Sequence, residues 1–192
     1  MSTTQPIRTS EDLLKLKNYY SCITPLGERN RLLIIMGLNT ALRISDILHM
    51  RWNVVYNFTT SKFRSHIEIV EQKTGKRSMI ALNDTLREAL ECWFSVKSPA
   101  SADYIFESTR GKNPIDRHQA YRVIRKAAAQ CDLSEHISCH SLRKTFGYHA
   151  WKNGIAPASL MDIFNHSSYR ITMRYLCINQ DDRDAVFTNI QL

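Results

Sequence analysis

Residues 140–143 read His140-Ser141-Leu142-Arg143 at what looks like a helix start. Positions three apart on a helix share a face. The imidazole and the guanidinium can therefore converge on one anion, and the helix N-terminus adds its own positive field. A capping histidine beside a surface arginine explains the same residues. Further along, Asn165-His166 precedes Tyr175, with nine positions from the histidine to the tyrosine. A histidine titrates near neutrality and can move a proton, whereas a lone tyrosine on a helix is ordinary core packing. His136 and His140 stand four apart with His149 nearby and so mimic a metal pair, but no carboxylate or Cys-x-x-Cys completes a site. No metal or other cofactor is expected.

These residues need elements to position them. Ser10–Tyr20 and Asn30–Leu38 have helical apolar spacing, and Ile44–Met50 continues helically after a polar break at Asn39-Thr40. From Val54 to Leu82 the pattern changes. His66–Glu71 and Arg77–Leu82 read as strands joined by Lys73-Thr74-Gly75-Lys76, with Gly75 supplying the turn. A third strand is expected near Val54–Phe58. Asn83 is a good N-cap for a helix over Asp84–Lys97. Pro114 and Asp116 open another, with Ala120, Tyr121, Ile124, Ala127 and Ala128 as its inner face and Arg122, Arg125 and Lys126 as its outer face. Helices over Ser141–Trp151, Ala158–Phe164 and Ser168–Tyr175 follow. The fold class is mostly α with a small antiparallel β-sheet (α+β), and residues 1–192 read as one domain without internal repeats or a linker.

The chain carries a net charge of +8, and 43% of its residues are hydrophobic, enough for a core. A chain this basic suits a polyanion, because lysine and arginine release counterions from phosphates. The five cysteines, Cys22, Cys92, Cys131, Cys139 and Cys177, are odd in number, and none sit as Cys-x-x-Cys. Neither a disulfide framework nor a zinc ribbon is indicated, which fits a reducing cytoplasm. The opening residues are polar, and no apolar run is long enough to span a bilayer. A cytoplasmic protein without a membrane partner is expected.

Taken in order, the motifs form a pattern. Thr40-Ala41-Leu42-Arg43-Ile44-Ser45-Asp46-Ile47 resembles the first arginine box of the tyrosine site-specific recombinases, the lambda-type integrase family. Lys73 resembles that family's hairpin lysine, His140-Ser141-Leu142-Arg143 its His-x-x-Arg box, and Phe164-Asn165-His166 with Tyr175 its final box. Ala41 and Asn165 replace glycines common in the family, and Asp46 stands where glutamate is commoner. Only about forty residues precede Arg43. No separate N-terminal core-binding domain is therefore expected, and the chain is either a stand-alone short recombinase or a truncated one.

The resemblance implies a mechanism. Arg43 and Arg143 would clamp the charged oxygens of a phosphodiester, as the guanidinium fork suits. Tyr175 would be the nucleophile, His140 the general base or acid, and Lys73 the acid for the 5′-oxygen, with Lys76 as its rival. His166 would hold a phosphate oxygen or orient Tyr175. Tyr148 and Tyr169 are the rival tyrosines. Arg43 is also expected to pair with Asp46, three residues on. Lys76, Arg77, Arg122, Arg125 and Lys126 are candidate DNA contacts, although a solvated helix face explains the last three almost as well. The implied partners are double-stranded DNA at specific recombination sites, further copies of the chain in a tetramer on DNA, and accessory DNA-bending proteins. Two alternatives share the fold or chemistry: a catalytically silent DNA-binding regulator and a type IB topoisomerase. A metal-dependent nuclease would need clustered acids, and Asp181, Asp182 and Asp184 lie in a polar tail. That tail carries Val186, Phe187 and Ile190, an apolar set suited to folding back or docking on a neighbouring protomer.

Overall fold

The computed structural model describes residues 4–20, 24–133, 136–178 and 187–188. Helix α2 (Pro25–Asn39) is central. Thr24 caps it by accepting from the Gly27 N–H, and Pro25 fits its first turn. The run from Leu32 to Leu38 is buried on every face, as expected of a helix with partners all round. Those partners are α1 (Ser10–Asn18), α3 (Ile44–Leu48), α5 (Asp84–Lys97), α6 (Arg117–Gln130) and α7 (Cys139–Lys152). Leu33 and Met36 look toward Trp52, Leu86 and Phe106, while Ile34 and Leu38 join Leu16, Ile124 and Leu142 in a second cluster. Burying each such side chain contributes about 1.5–3 kcal/mol.

The sheet differs from expectation. The hairpin is present, as β3 (His66–Val70) against β4 (Arg77–Ala81). The predicted third strand is not part of it. Trp52–Val55 forms a helical turn, α4, and β1 (Tyr56–Asn57) pairs with β2 (Lys62–Phe63) in a separate two-stranded sheet. Trp52 and Val55 are fully buried and three apart, so helical spacing outweighs the β-preference of the valines. Tyr121 also departs from its predicted inner face: it is exposed, while Ala120, Ile124, Ala127 and Ala128 are buried.

The last third packs as a compact unit. Helix α8 (Pro157–Phe164) lies against α7, and α9 (Tyr169–Tyr175) lies against α8. Leu160, Phe164 and Leu176 form a third cluster with Ala41. Gly147 of α7 makes the close approach possible, because a Cβ there would come within 2.6 Å of Leu176 Cδ2 and of Phe164 Cζ. The segment before α1 closes over this unit. Lys144 Nζ donates to the Thr4 carbonyl at 2.7 Å, the Ile7 N–H donates to Thr145 Oγ1 at 2.9 Å, and Arg8 donates to the Cys177 carbonyl. Of the tail, Phe187 is exposed; Val186 and Ile190, and with them Asp181, Asp182 and Asp184, lie outside the described residues.

Candidate active site

Arg43 sits where α2 turns into α3. Thr40 ends α2, and Ala41 follows with φ of 55°. That left-handed position after a helix favours glycine, which accounts physically for the glycine the family pattern carries there. The turn sends Arg43 out as the N-cap of α3. Its guanidinium does not pair with Asp46 as the sequence suggested. It pairs instead with Glu71 Oε2 at 2.5 Å. Asp46 is buried, and its Oδ1 accepts from the Gln72 N–H at 2.9 Å. A backbone donor of the hairpin holds that carboxylate, and Arg43 finds its partner on the hairpin as well.

The hairpin tip brings Lys73 to the same place, exposed beside Gly75, whose φ of 66° closes the turn. Lys76 is held elsewhere, with Nζ donating to the Asp162 carbonyl and side chain at 2.8 and 3.0 Å. His140 lies in the first turn of α7 and Arg143 one turn further, so the predicted shared face is formed. Arg143 is buried, donates to the Phe164 carbonyl at 3.0 Å and lies over the Phe164 ring. Asn165 ends α8 with φ of 53°. The His166 N–H then reaches back to the Met161 carbonyl at 2.9 Å, a helix-ending motif that sets where the histidine points. His166 Nδ1 is 3.0 Å from Oγ1 of the fully buried Thr172, and its ring meets Tyr175 edge-on with centroids 5.0 Å apart. Ser168 caps α9 by accepting from the Ile171 N–H, and Tyr175 is its last residue.

Arg43, Lys73, His140, Arg143, His166 and Tyr175 all line one open cavity of about 400 Å³. The rival tyrosines do not line it: Tyr148 is buried against Arg8 and Tyr169 is exposed outside. Nor do the candidate DNA contacts Lys76, Arg77, Arg122, Arg125 and Lys126. Arg122 and Lys126 are exposed on α6 and Arg77 on β4, whereas Arg125 is half-buried and donates to the Ile137 carbonyl at 3.2 Å. Glu71 is the residue that sequence reasoning missed. The only available signal was an acidic residue two positions before Lys73 in a strand otherwise read for its apolar pattern.

The cavity is strongly cationic. Burial, then Arg117, Lys144, Arg143 and Arg43, push His140 below the ordinary imidazole value. Burial, Arg143 and Arg43 do the same to His166. Burial pushes the Tyr175 phenol up, against the opposing pull of Arg143 and Arg43. Both imidazoles are thus kept neutral, and the phenol keeps its proton at rest. Both guanidiniums remain poised for an anion.

The arrangement is that of the tyrosine recombinase catalytic domain. The crystal structure of XerA recombinase superposes with a TM-score of 0.77, covering 96% of this chain and 63% of that one at 19% identity. XerH recombinase bound to its difH substrate gives 0.73, with 97% and 55% covered at 17% identity. The chain therefore spans less than two thirds of either solved protein, and the likeness is one of fold. The sequence goes further: the chain belongs to the phage integrase family, which it matches over residues 8–181. It is 40% identical to a probable integrase/recombinase, YoeC, of Bacillus subtilis, covering 97% of both chains. It is 29% identical to the type 1 fimbriae regulatory protein FimE of Escherichia coli K12, covering 82% of this chain and 79% of that one.

Proposed function

We propose that this protein cleaves and rejoins double-stranded DNA at specific sites through a 3′-phosphotyrosyl link at Tyr175. The observation that carries this reading is the single cavity lined by residues from four separate stretches of chain. Arg43 and Arg143 bind the non-bridging oxygens of the scissile phosphate, where charge accumulates as the nucleophile attacks. His140, neutral in its cationic setting, takes the proton of the Tyr175 phenol. The phenolic oxygen bonds to phosphorus and the 5′-oxygen leaves, taking a proton from Lys73. His166, fixed through Nδ1 by Thr172, offers its other nitrogen to a phosphate oxygen. The products are a 3′-phosphotyrosyl enzyme and a free 5′-hydroxyl. Reversal with a second 5′-hydroxyl rejoins the strand, and the conserved bond energy makes ATP unnecessary.

Arg77, Arg122 and Lys126, exposed outside the cavity, are the remaining candidates for flanking phosphates. Four copies on two DNA sites, aided by DNA-bending proteins, form the proposed assembly, and the tail carrying Val186, Phe187 and Ile190 is its proposed contact. The chain acts as a single catalytic domain in the cytoplasm. Among the described residues no helix is long and apolar enough to cross a membrane.

The test is capture of the covalent intermediate on a nicked substrate that cannot religate. Tyr175→Phe removes one oxygen and keeps the packing ring, so the variant should fold and bind DNA while forming no adduct. Tyr169→Phe should still form it. A phosphotyrosyl peptide mapped to Tyr169 would overturn the assignment.

A further inference from the structure

Glu71 is 2% exposed, and both of its carboxylate oxygens are hydrogen-bonded. Its Oε2 accepts from Arg43 at 2.5 Å and from Thr74 Oγ1 at 3.1 Å, and its Oε1 accepts from Ser78 Oγ at 2.9 Å. Its backbone closes the same turn: the Glu71 N–H donates to the Lys76 carbonyl at 2.9 Å, and the Gly75 N–H donates to the Glu71 carbonyl at 2.8 Å. The Thr74 and Ser78 contacts lie on either side of Gly75, so one carboxylate gathers both ends of the turn that presents Lys73. The neighbouring Gln72 N–H is tied to Asp46 of α3. The hairpin is thus fastened to α3 at two adjacent points, and only one of them carries charge to a cavity residue.

We infer that Glu71 is a positioning residue for strand cleavage, setting the Arg43 guanidinium and the Lys73-bearing turn in a fixed relation to each other. This rests on the reading of Arg43 and Lys73 given above. A buried carboxylate without its cation is costly, and so is the converse; each partner therefore holds the other in place. Arg43 engages Glu71 through one terminal nitrogen, and its planar fork leaves further donors for a phosphate. When Arg43 shifts on binding a phosphate, Glu71 transmits the shift to Thr74, the residue beside Lys73. Burial pushes the Glu71 carboxyl up, but Ser78, Thr74 and Arg43 together outweigh it and hold the group ionised below its ordinary range.

Two measurements test this. In single-turnover cleavage, Glu71→Gln should slow the reaction roughly 10- to 100-fold, the scale on which a misplaced catalytic group acts. A substrate with sulfur at the 5′-bridging position needs no proton on its leaving group, so it should recover the part of the loss that runs through Lys73. In an Arg43→Ala background the same substitution should cost less than it does in the wild type, because the part that runs through Arg43 is already gone and only the part through the turn remains. Equal losses on both substrates, together with full additivity, would reduce Glu71 to a packing residue and overturn the inference. The second measurement does not depend on cleavage. Amide exchange across 72–76 should accelerate in both Glu71→Gln and Arg43→Ala. Unchanged exchange in both would overturn the coupling even if the protein cleaves DNA, and accelerated exchange in a chain that forms no adduct would leave the coupling standing while the proposed function fails. Should Glu71→Gln fail to fold, Thr74→Ala and Ser78→Ala remove the turn contacts without leaving a buried charge unpaired. Each should then give a smaller loss with the same partial sulfur rescue, and wild-type rates in both would count against the inference.

Discussion

Burial, with Arg143 and Arg43, acts on both His140 and His166 and holds each below the ordinary imidazole value of 6.5. A base must be neutral to accept the phenolic proton, so the acid limb of cleavage should fall below pH 6.5 instead of at it. Single-turnover rates across pH check this, and a limb centred above 6.5 would count against His140 as the base. The sign for folding follows the same logic. As pH drops under 6.5 the unfolded chain takes up protons that the folded imidazoles refuse, so stability declines through that window. Glu71 acts further down: its contribution is complete above its ordinary 4.5 and is lost as pH falls through its depressed folded value. At this scale the sequence was readable where spacing is local. His140 and Arg143 share one helical turn, and Tyr175 follows His166 by nine positions at the end of the next helix. The partner of Arg43 lies 28 positions away. Chain proximity favoured Asp46, but the hairpin backbone had already claimed that carboxylate.

Helix caps made three of the helices legible. Asn83, Asp116 and Ser168 each accept a backbone N–H where a helix starts, and the helices begin there. The four-residue α4 escaped notice because a single turn with two valines carries no resolvable period. The substituted glycines also make sense at this level. Ala41 and Asn165 both take left-handed φ after a helix. Asparagine tolerates that region through local hydrogen bonding. For alanine the strain is about 1–2 kcal/mol, partly offset by burial of its methyl in the cluster with Leu160 and Phe164, which contributes about 0.8 kcal/mol. Gly147 is a sharper case. Gly147→Ala should cost about 1–3 kcal/mol through overpacking, because Phe164 and Leu176 must both retreat. Leu176 adjoins the proposed nucleophile, so cleavage should fall more than the melting temperature suggests. A thermal melt paired with a cleavage assay checks this, and a variant that melts like wild type would show that the contact yields freely.

A net charge of +8 on 192 residues makes association with DNA strongly salt-dependent. Arg122→Ala should weaken binding across all sequences and lower the slope of log K against log salt by about one, if that arginine meets a phosphate; an unchanged slope measured by titration would return it to the solvated surface. The three buried clusters meet around α2 and α7. The segment at 4–8 carries a different consequence. It is stitched to α7 through Lys144 and Thr145 and to the turn after Tyr175 through Arg8 and Cys177. Residues 4–8 are therefore a handle on the proposed nucleophile that lies outside the lining of the cavity. Trimming the first eight residues should slow strand cleavage while leaving DNA affinity intact. Identical cleavage rates before and after trimming would show that the handle turns nothing.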